Sequence, residues 1–206
     1  MVELQFCNDV IKVYRTISDV FNSNGYIIEY RNDFIILDPG EKENNYILNW
    51  FIENNLKPKY CLISHEHFDH NIGYKKIIKQ FPLIKTICSV ETKEALMNSK
   101  KNLSFYYNCS IEVNILNYEI KIPDYIKIIQ TPGHTKGSLC FLIDELLFSG
   151  DTIVNKEFLV TKLPGGNKNE LQKSHNKIEI LSRKIGKLLI FPGHGDYFKF
   201  KKNLER

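Results

Sequence analysis

The stretch Ser64-His65-Glu66-His67-Phe68-Asp69-His70 constrains this chain more than any other. Three histidines and an aspartate fall within six residues, directly behind the apolar run Tyr60-Cys61-Leu62-Ile63. A short apolar run feeding a polar turn predicts a buried strand that ends at a site. Imidazole and carboxylate are first-row metal ligands, with zinc the usual partner. The chain has six histidines; three sit here, and His134 and His194 lie in Gly-His turns far downstream. Chance clustering is a poor account of that distribution. His175 falls outside every such turn and reads as an ordinary surface histidine.

Around this turn the chain reads as alternating strands and helices. Strands are expected at 10–14, 26–30 and 34–37, the last two joined through Arg31-Asn32-Asp33, where Asn and Asp supply turn chemistry. Asp38-Pro39-Gly40 closes that hairpin, and Asp38 at a strand end can reach a site on the sheet edge. Residues 45–55 carry Tyr46, Ile47, Trp50 and Phe51 at helical spacing. The run 60–63, a helix from 73 to 81 and a strand at 85–89 form a βαβ unit, so this part of the sheet is expected to be parallel or mixed. A helix follows at 91–97, then an aromatic loop at 102–110 with Phe105, Tyr106 and Tyr107. Further strands are expected at 111–115, 119–122, 126–130, 139–143, 146–148 and 188–191. A long amphipathic helix at 169–185 is expected to face Leu171, Ile178, Ile180, Leu181 and Ile185 inward.

Three more strands end in glycine turns carrying a metal-competent residue: His134, Asp151 and His194. Glycine takes backbone angles that other residues avoid, so it can aim a neighbour inward from a tight turn. Ligands collected from several strand ends leave coordination positions open, as a catalytic metal needs. The candidates number seven: His65, His67, Asp69, His70, His134, Asp151 and His194. That is too many for one tetrahedral ion and suits two, with Asp151 as the carboxylate to bridge them.

These motifs together resemble the metallo-β-lactamase-fold hydrolases. The resemblance rests on His65-x-His67-x-Asp69-His70-x-x-Gly73, Pro132-Gly133-His134-Thr135-x-Gly137-Ser138, Gly150-Asp151-Thr152, Pro192-Gly193-His194-Gly195 and the early Asp38-Pro39-Gly40. It implies one domain over 1–206, an α/β (α+β) fold arranged as a four-layer αβ/βα sandwich. It assigns His65, His67 and His134 to a first metal, and Asp69, His70 and His194 to a second. Asp151 would lie between them, and Asp69 would also orient and deprotonate the attacking water. The cofactors implied are two Zn2+, with Fe or Mn as open alternatives, and the nucleophile is a hydroxide shared by the two ions.

Within the family the chain looks most like the glyoxalase II group, the hydroxyacylglutathione hydrolases, on Thr135-x-Gly137-Ser138, Gly150-Asp151-Thr152 and Leu163-Pro164-Gly165-Gly166-Asn167. It resembles the short form, ending soon after His194 without a C-terminal glutathione-binding domain. Where many short members read Gly-Arg-Thr-Asp, this chain has Leu159-Val160-Thr161-Lys162, which makes Lys162 a candidate for a substrate carboxylate. The function implied is a thioesterase acting on a small acyl thioester. The alternatives are a mononuclear iron persulfide (sulfur) dioxygenase and a lactonase or other ester hydrolase of the same fold. A classical β-lactamase fits less well, since many carry cysteine where Asp151 stands, and a flavodiiron oxidoreductase carries glutamate at the position of His67.

Composition narrows the partners. The net charge of +4 is mild and its lysines are scattered, which speaks against nucleic acid. The most basic stretch, with Lys199, Lys201, Lys202 and Arg206, reads as a solvated terminal face. No apolar run approaches membrane-spanning length, and Met1-Val2-Glu3-Leu4 has no signal-peptide character. Cys7, Cys61, Cys88, Cys109 and Cys140 are odd in number and widely spaced, so they read as mostly buried thiols in a reduced, cytoplasmic protein. A small molecule is the expected partner; the oligomeric state stays open.

Overall fold

The structure, a computed structural model, describes residues 1–119, 121–155 and 161–200. Leu159, Val160, Lys201, Lys202 and Arg206 lie outside the described residues, as does Ile120 of the expected strand 119–122. The chain runs β1 (Glu3–Cys7), β2 (Ile11–Ile17), β3 (Asn24–Tyr30), β4 (Asp33–Leu37), α1 (Tyr46–Glu53), β5 (Tyr60–Leu62), α2 (Tyr74–Gln80), β6 (Lys85–Ile87) and α3 (Val90–Leu96). It continues through β7 (Lys127–Gln130), β8 (Leu139–Ile143), β9 (Leu146–Gly150), α4 (Lys168–Ile185), β10 (Leu189–Pro192) and β11 (Phe198–Lys199). Short 3-10 turns occupy Phe68–His70 and Ser104–Tyr107.

Alternation along the strands decides the layering, because successive side chains point to opposite faces. Tyr26 and Ile28 of β3, Ile35 and Leu37 of β4, and Tyr60 and Leu62 of β5 enter one core. Phe141 of β8, Phe148 of β9 and Phe191 of β10 meet them there from the second sheet. The intervening residues turn outward. Ile27, Ile36 and Cys61 pack under Ile47 and Phe51 of α1, Tyr74 and Ile77 of α2 and Leu96 of α3. Cys140, Leu142, Leu147 and Ile190 pack under Ile178 of α4. Both sheets are therefore buried on both faces, and the layers run αβ/βα as expected.

The first sheet has the order β1-β2-β3-β4-β5-β6 and the second β11-β10-β9-β8-β7. The expected βαβ unit is present: β4, β5 and β6 are parallel, and so are β9 and β10. Parallel neighbours present their C-terminal ends on one edge, where α/β folds place their ligands. Asp38 follows β4, the histidine turn follows β5, Asp151 follows β9 and His194 follows β10. His134 joins them from the turn between β7 and β8. The backbone N–H of Leu139 donates to Ser64 O at 2.8 Å, stitching the two sheets together at this edge.

Two expectations are corrected, and one strand was not foreseen. Residues 111–115 are not a strand. Val113 and Ile115 are buried between exposed Glu112 and Asn114, but the segment has no ladder partner, so period-two burial occurs here without a sheet. Ile180 does not face inward and is 55% exposed. Leu171, Ser174 and Ile178 form the buried stripe of α4, and at about 100° per residue Ile180 lies opposite Leu171. The N-terminal strand β1 was not legible, because its side chains are mostly exposed and carry no alternation.

Candidate metal centre

Strand β5 aims His65 and His67 to one side of its outgoing turn. Ser64 Oγ donates to Asp38 Oδ2 at 2.6 Å and lies 2.9 Å from His65 Nδ1. With the hydroxyl proton committed to Asp38, His65 Nδ1 donates to Ser64 Oγ, and Nε2 carries the ring's lone pair. That Nε2 is buried without a protein partner. His134 Nε2 sits 3.0 Å from His67 Nδ1. The ring centroids of His65, His67 and His134 are 4.7, 4.9 and 4.6 Å apart, a nearly regular triangle.

Asp69, His70 and His194 form a second triangle. Asp69 Oδ2 lies 3.4 Å from His70 Nε2 and 3.5 Å from His194 Nε2, and the two nitrogens are 3.3 Å apart. Ligand atoms about 2 Å from a tetrahedral ion stand roughly 3.3 Å from one another. Both groups therefore have the spacing of donors around one cation. Asp151 lies between the triangles: Oδ1 is 3.6 Å from His70 Nε2, while Oδ2 is 3.5 Å from His134 Nε2 and 3.6 Å from His194 Nε2. All seven residues singled out in the sequence converge here.

The electrostatics suit a cation. Burial holds the His65 imidazole well below its ordinary pKa and lowers that of His67 to about 3, so both rings are neutral and offer lone pairs. Burial pushes the Asp69 and Asp151 carboxyls upward, but the neighbouring imidazoles outweigh it and hold both below the usual carboxylate range. Burial likewise opposes a proton on His70 and His194, yet the adjacent carboxylates raise both. The carboxylates thus concentrate negative charge at the second triangle. The donor set, the orphaned Nε2 and the spacing all fit a metal cofactor.

Asp38 is fully buried and holds a left-handed backbone, φ 48°. Such a backbone is costly for a non-glycine residue and persists where the surroundings over-determine it. Asp38 Oδ1 accepts the Ser64 N–H at 2.8 Å, and Oδ2 also lies 3.4 Å from His70 Nδ1. Asp38 and the rings of His65 and His70 form a further close group of donor atoms. Because both Asp38 oxygens already serve Ser64, this residue acts as an anchor behind one ring of each triangle. Gly150 precedes Asp151 with φ +47°, and a Cβ there would fall 2.5 Å from Ser64 Oγ, so glycine is required at that turn. Lys162 is exposed, and its side chain makes no ion pair or hydrogen bond among the described residues.

The structure corrects the reading of His175. It is partly buried, and Nε2 lies 2.6 Å from the backbone oxygen of Thr152, which can only accept, so Nε2 carries the proton. The neighbouring Ser174 donates to Pro132 O at 2.8 Å. Adjacent residues of α4 therefore fasten the turns bearing Asp151 and His134. Leu171 and His175 are four residues apart on the helix, a spacing that signals a shared face. Replacing His175 with leucine is expected to weaken metal affinity at most about tenfold, the low end of the cost of losing a ligand's direct partner, because His175 holds Thr152 beside Asp151 rather than Asp151 itself. Competition with a chromophoric chelator measures it; wild-type affinity would show that the turn is held without this bond. Sequence reading also missed the residues that hold the His194 turn. Asn24 Nδ2 donates to Pro192 O and Gly195 O, Tyr26 donates to Pro192 O, and Arg15 donates to Gly195 O.

Comparison with known proteins agrees with this geometry. Residues 18–194 match the metallo-beta-lactamase superfamily. The hydroxyacylglutathione hydrolase of Buchnera aphidicola subsp. Baizongia pistaciae (strain Bp) is 32% identical over 181 residues, covering 84% of this chain. This chain spans 65% of that protein's length. Among solved structures, the BLEG-1 B3 metallo-beta-lactamase aligns with a TM-score of 0.76 at 24% identity, covering 91% of this chain and 93% of that one. TTHA1623 in a di-iron-bound form aligns with a TM-score of 0.78 at 20% identity, covering 90% and 93%. At these identities the structural likeness speaks to the fold.

Proposed function

The chain belongs to the metallo-beta-lactamase superfamily, and from that premise we propose that it is a dinuclear zinc hydrolase cleaving a small acyl thioester, of the hydroxyacylglutathione hydrolase kind. One observation carries the reading: two triangles of metal-competent donors joined through a single, partly buried carboxylate, Asp151. The similarity to a hydroxyacylglutathione hydrolase supports the choice of bond. Two divalent ions held by these residues would lower the pKa of a bound water toward about 7 and polarise a carbonyl oxygen.

In this reading His65, His67 and His134 hold one ion, Asp69, His70 and His194 the other, and Asp151 touches both. Asp69 Oδ2 faces His70 and His194. Its other oxygen orients the attacking water and takes its proton. Asp38 and Ser64 keep the His65 ring in one tautomer, so that Nε2 stays available as a donor. Among the candidate donors His194 and Asp69 lie nearest solvent, with side chains 22% and 12% exposed against 0% for His70 and 5% for His134. The acyl group therefore approaches from the His194 side. No helix among the described residues is long and apolar enough to cross a membrane. All five cysteines are free, which suits a reducing compartment, so the cytoplasm is the proposed location.

The test is hydrolysis of S-lactoylglutathione by zinc-loaded protein before and after chelation. The rate is expected to fall at least about 100-fold on chelation and to return with zinc, since the ions supply several kcal/mol of charge stabilisation. Oxygen uptake with a glutathione persulfide, without thioester cleavage, would replace this reading by the iron dioxygenase.

A further inference from the structure

Glu66 stands between His65 and His67 but points away from them. It is 5% exposed, and its Oε2 accepts the Thr135 hydroxyl at 2.8 Å and lies 3.4 Å from that of Thr92 on α3. Among the described residues no side chain supplies a donor to its other oxygen, Oε1. Glu66 lines a cavity of about 280 Å³, bounded also by Glu91, Glu94, Lys101, Lys136 and the Pro164-Gly165 turn. A Cβ on Gly165 would lie 3.9 Å from Glu66 Oε1, which places the carboxylate at the cavity floor beside that turn.

The charges around this cavity are of both signs. Two lysines and three glutamates line one space, yet none of the five forms an ion pair with another among the described residues. Glu91, Glu94, Lys101 and Lys136 are exposed, and pairing among such groups would gain only a few tenths of a kcal/mol to about 1 kcal/mol, so little is lost when they turn to a ligand instead. Here they remain apart across a volume close to the lower end of the range for ligand pockets, about 300 Å³. Glu66, buried and already fixed by two threonines, is pre-organised; little entropy is lost when it receives a donor. A molecule carrying both charges would meet both sets of groups at once.

We propose that this cavity is a binding site for a small zwitterion, its ammonium on Glu66 Oε1 and its carboxylate on Lys136 and Lys101. The site is contiguous in sequence with the first donor triangle. Glu66 shares its turn with His65 and His67, and Lys136 follows His134 by two residues. It does not depend on the proposed hydrolysis, since the groups that form it are not the metal donors.

The experiment is calorimetric titration of zinc-loaded full-length protein with γ-aminobutyrate, alongside ethanolamine, which lacks the carboxylate, and butyrate, which lacks the ammonium. γ-Aminobutyrate is expected to bind at least tenfold more tightly than either. Glu66→Gln and Lys136→Met are each expected to weaken it at least tenfold with zinc content unchanged. Lys136 is exposed, so its variant remains folded even where a change at Glu66 disturbs the turn. Equal affinity for γ-aminobutyrate and butyrate, as simple carboxylate coordination to zinc would give, overturns the proposal, and so does wild-type affinity in the Lys136 variant. If the bound zwitterion raises KM for a thioester, the group belongs to the substrate. If KM is unmoved, it belongs to a separate metabolite. Both results support the site.

Discussion

Asp151→Asn is expected to lower kcat/KM for a thioester at least about 10³-fold and to reduce zinc content from two ions per chain toward one. Asparagine keeps the shape of the side chain, so the turn after Gly150 has no steric reason to move. What changes is charge. The Asp151 carboxylate is only 11% exposed, ionised and within 3.6 Å of nitrogens from both triangles. A neutral amide removes the one negative group that both ions would share, and a contribution of several kcal/mol to charge stabilisation corresponds to about 10³-fold or more in rate. Elemental analysis and single-substrate kinetics measure the two effects. A variant within tenfold of wild type that retains both ions would show that Asp151 is not the shared ligand.

Gly40→Ala is expected to be nearly as damaging without touching any donor atom. A Cβ at this position would fall 1.8 Å from the carbonyl oxygen of Asp69 and 2.8 Å from Ser23 Oγ. Neither neighbour can retreat freely. The Ser23 hydroxyl donates to that same Asp69 oxygen at 2.6 Å, and Ser23 bridges to His194. The 3-10 turn carrying Asp69 and His70 must therefore shift by the order of 1 Å, and a displacement of that size costs on the order of 10²-fold in rate. Overpacking of a tight contact costs about 1–3 kcal/mol of stability, which for a domain of this length lowers Tm by roughly 2–4 °C per kcal/mol. Thermal unfolding and kcat/KM report on both. Wild-type values in each would mean that the turn is far softer than its contacts imply.

The two substitutions also separate what sequence can and cannot convey. The seven candidate donors could be picked out in the sequence because histidine is scarce and they fall at strand ends, where chemistry belongs in a sheet with parallel strands. The helices were legible from their period, and strands such as β3, β4, β8 and β9 from short apolar runs bounded by turn residues, which their burial on both faces explains. Period misled at 111–115, where alternating burial is enforced by packing under α3 rather than by a ladder. It was applied too generously at Ile180, which an angular count on α4 excludes from the buried stripe. His175 was missed for the opposite reason. Its role is set by a single hydrogen bond to a backbone oxygen 23 residues away, and no local pattern announces such a contact. The same holds for Gly40, whose necessity comes from the approach of Asp69, and for Glu66, whose surroundings are assembled from four separate stretches of chain.

The account stands on there being two cation sites joined by one carboxylate, and zinc titration of the chelator-stripped protein tests this most directly. Calorimetry is expected to show two equivalents of zinc per chain in the wild type. His67→Ala, which breaks the first triangle, and Asp69→Asn, which weakens the second, should each leave one tight equivalent. A single equivalent in the wild type, or two undiminished equivalents in both variants, would contradict it.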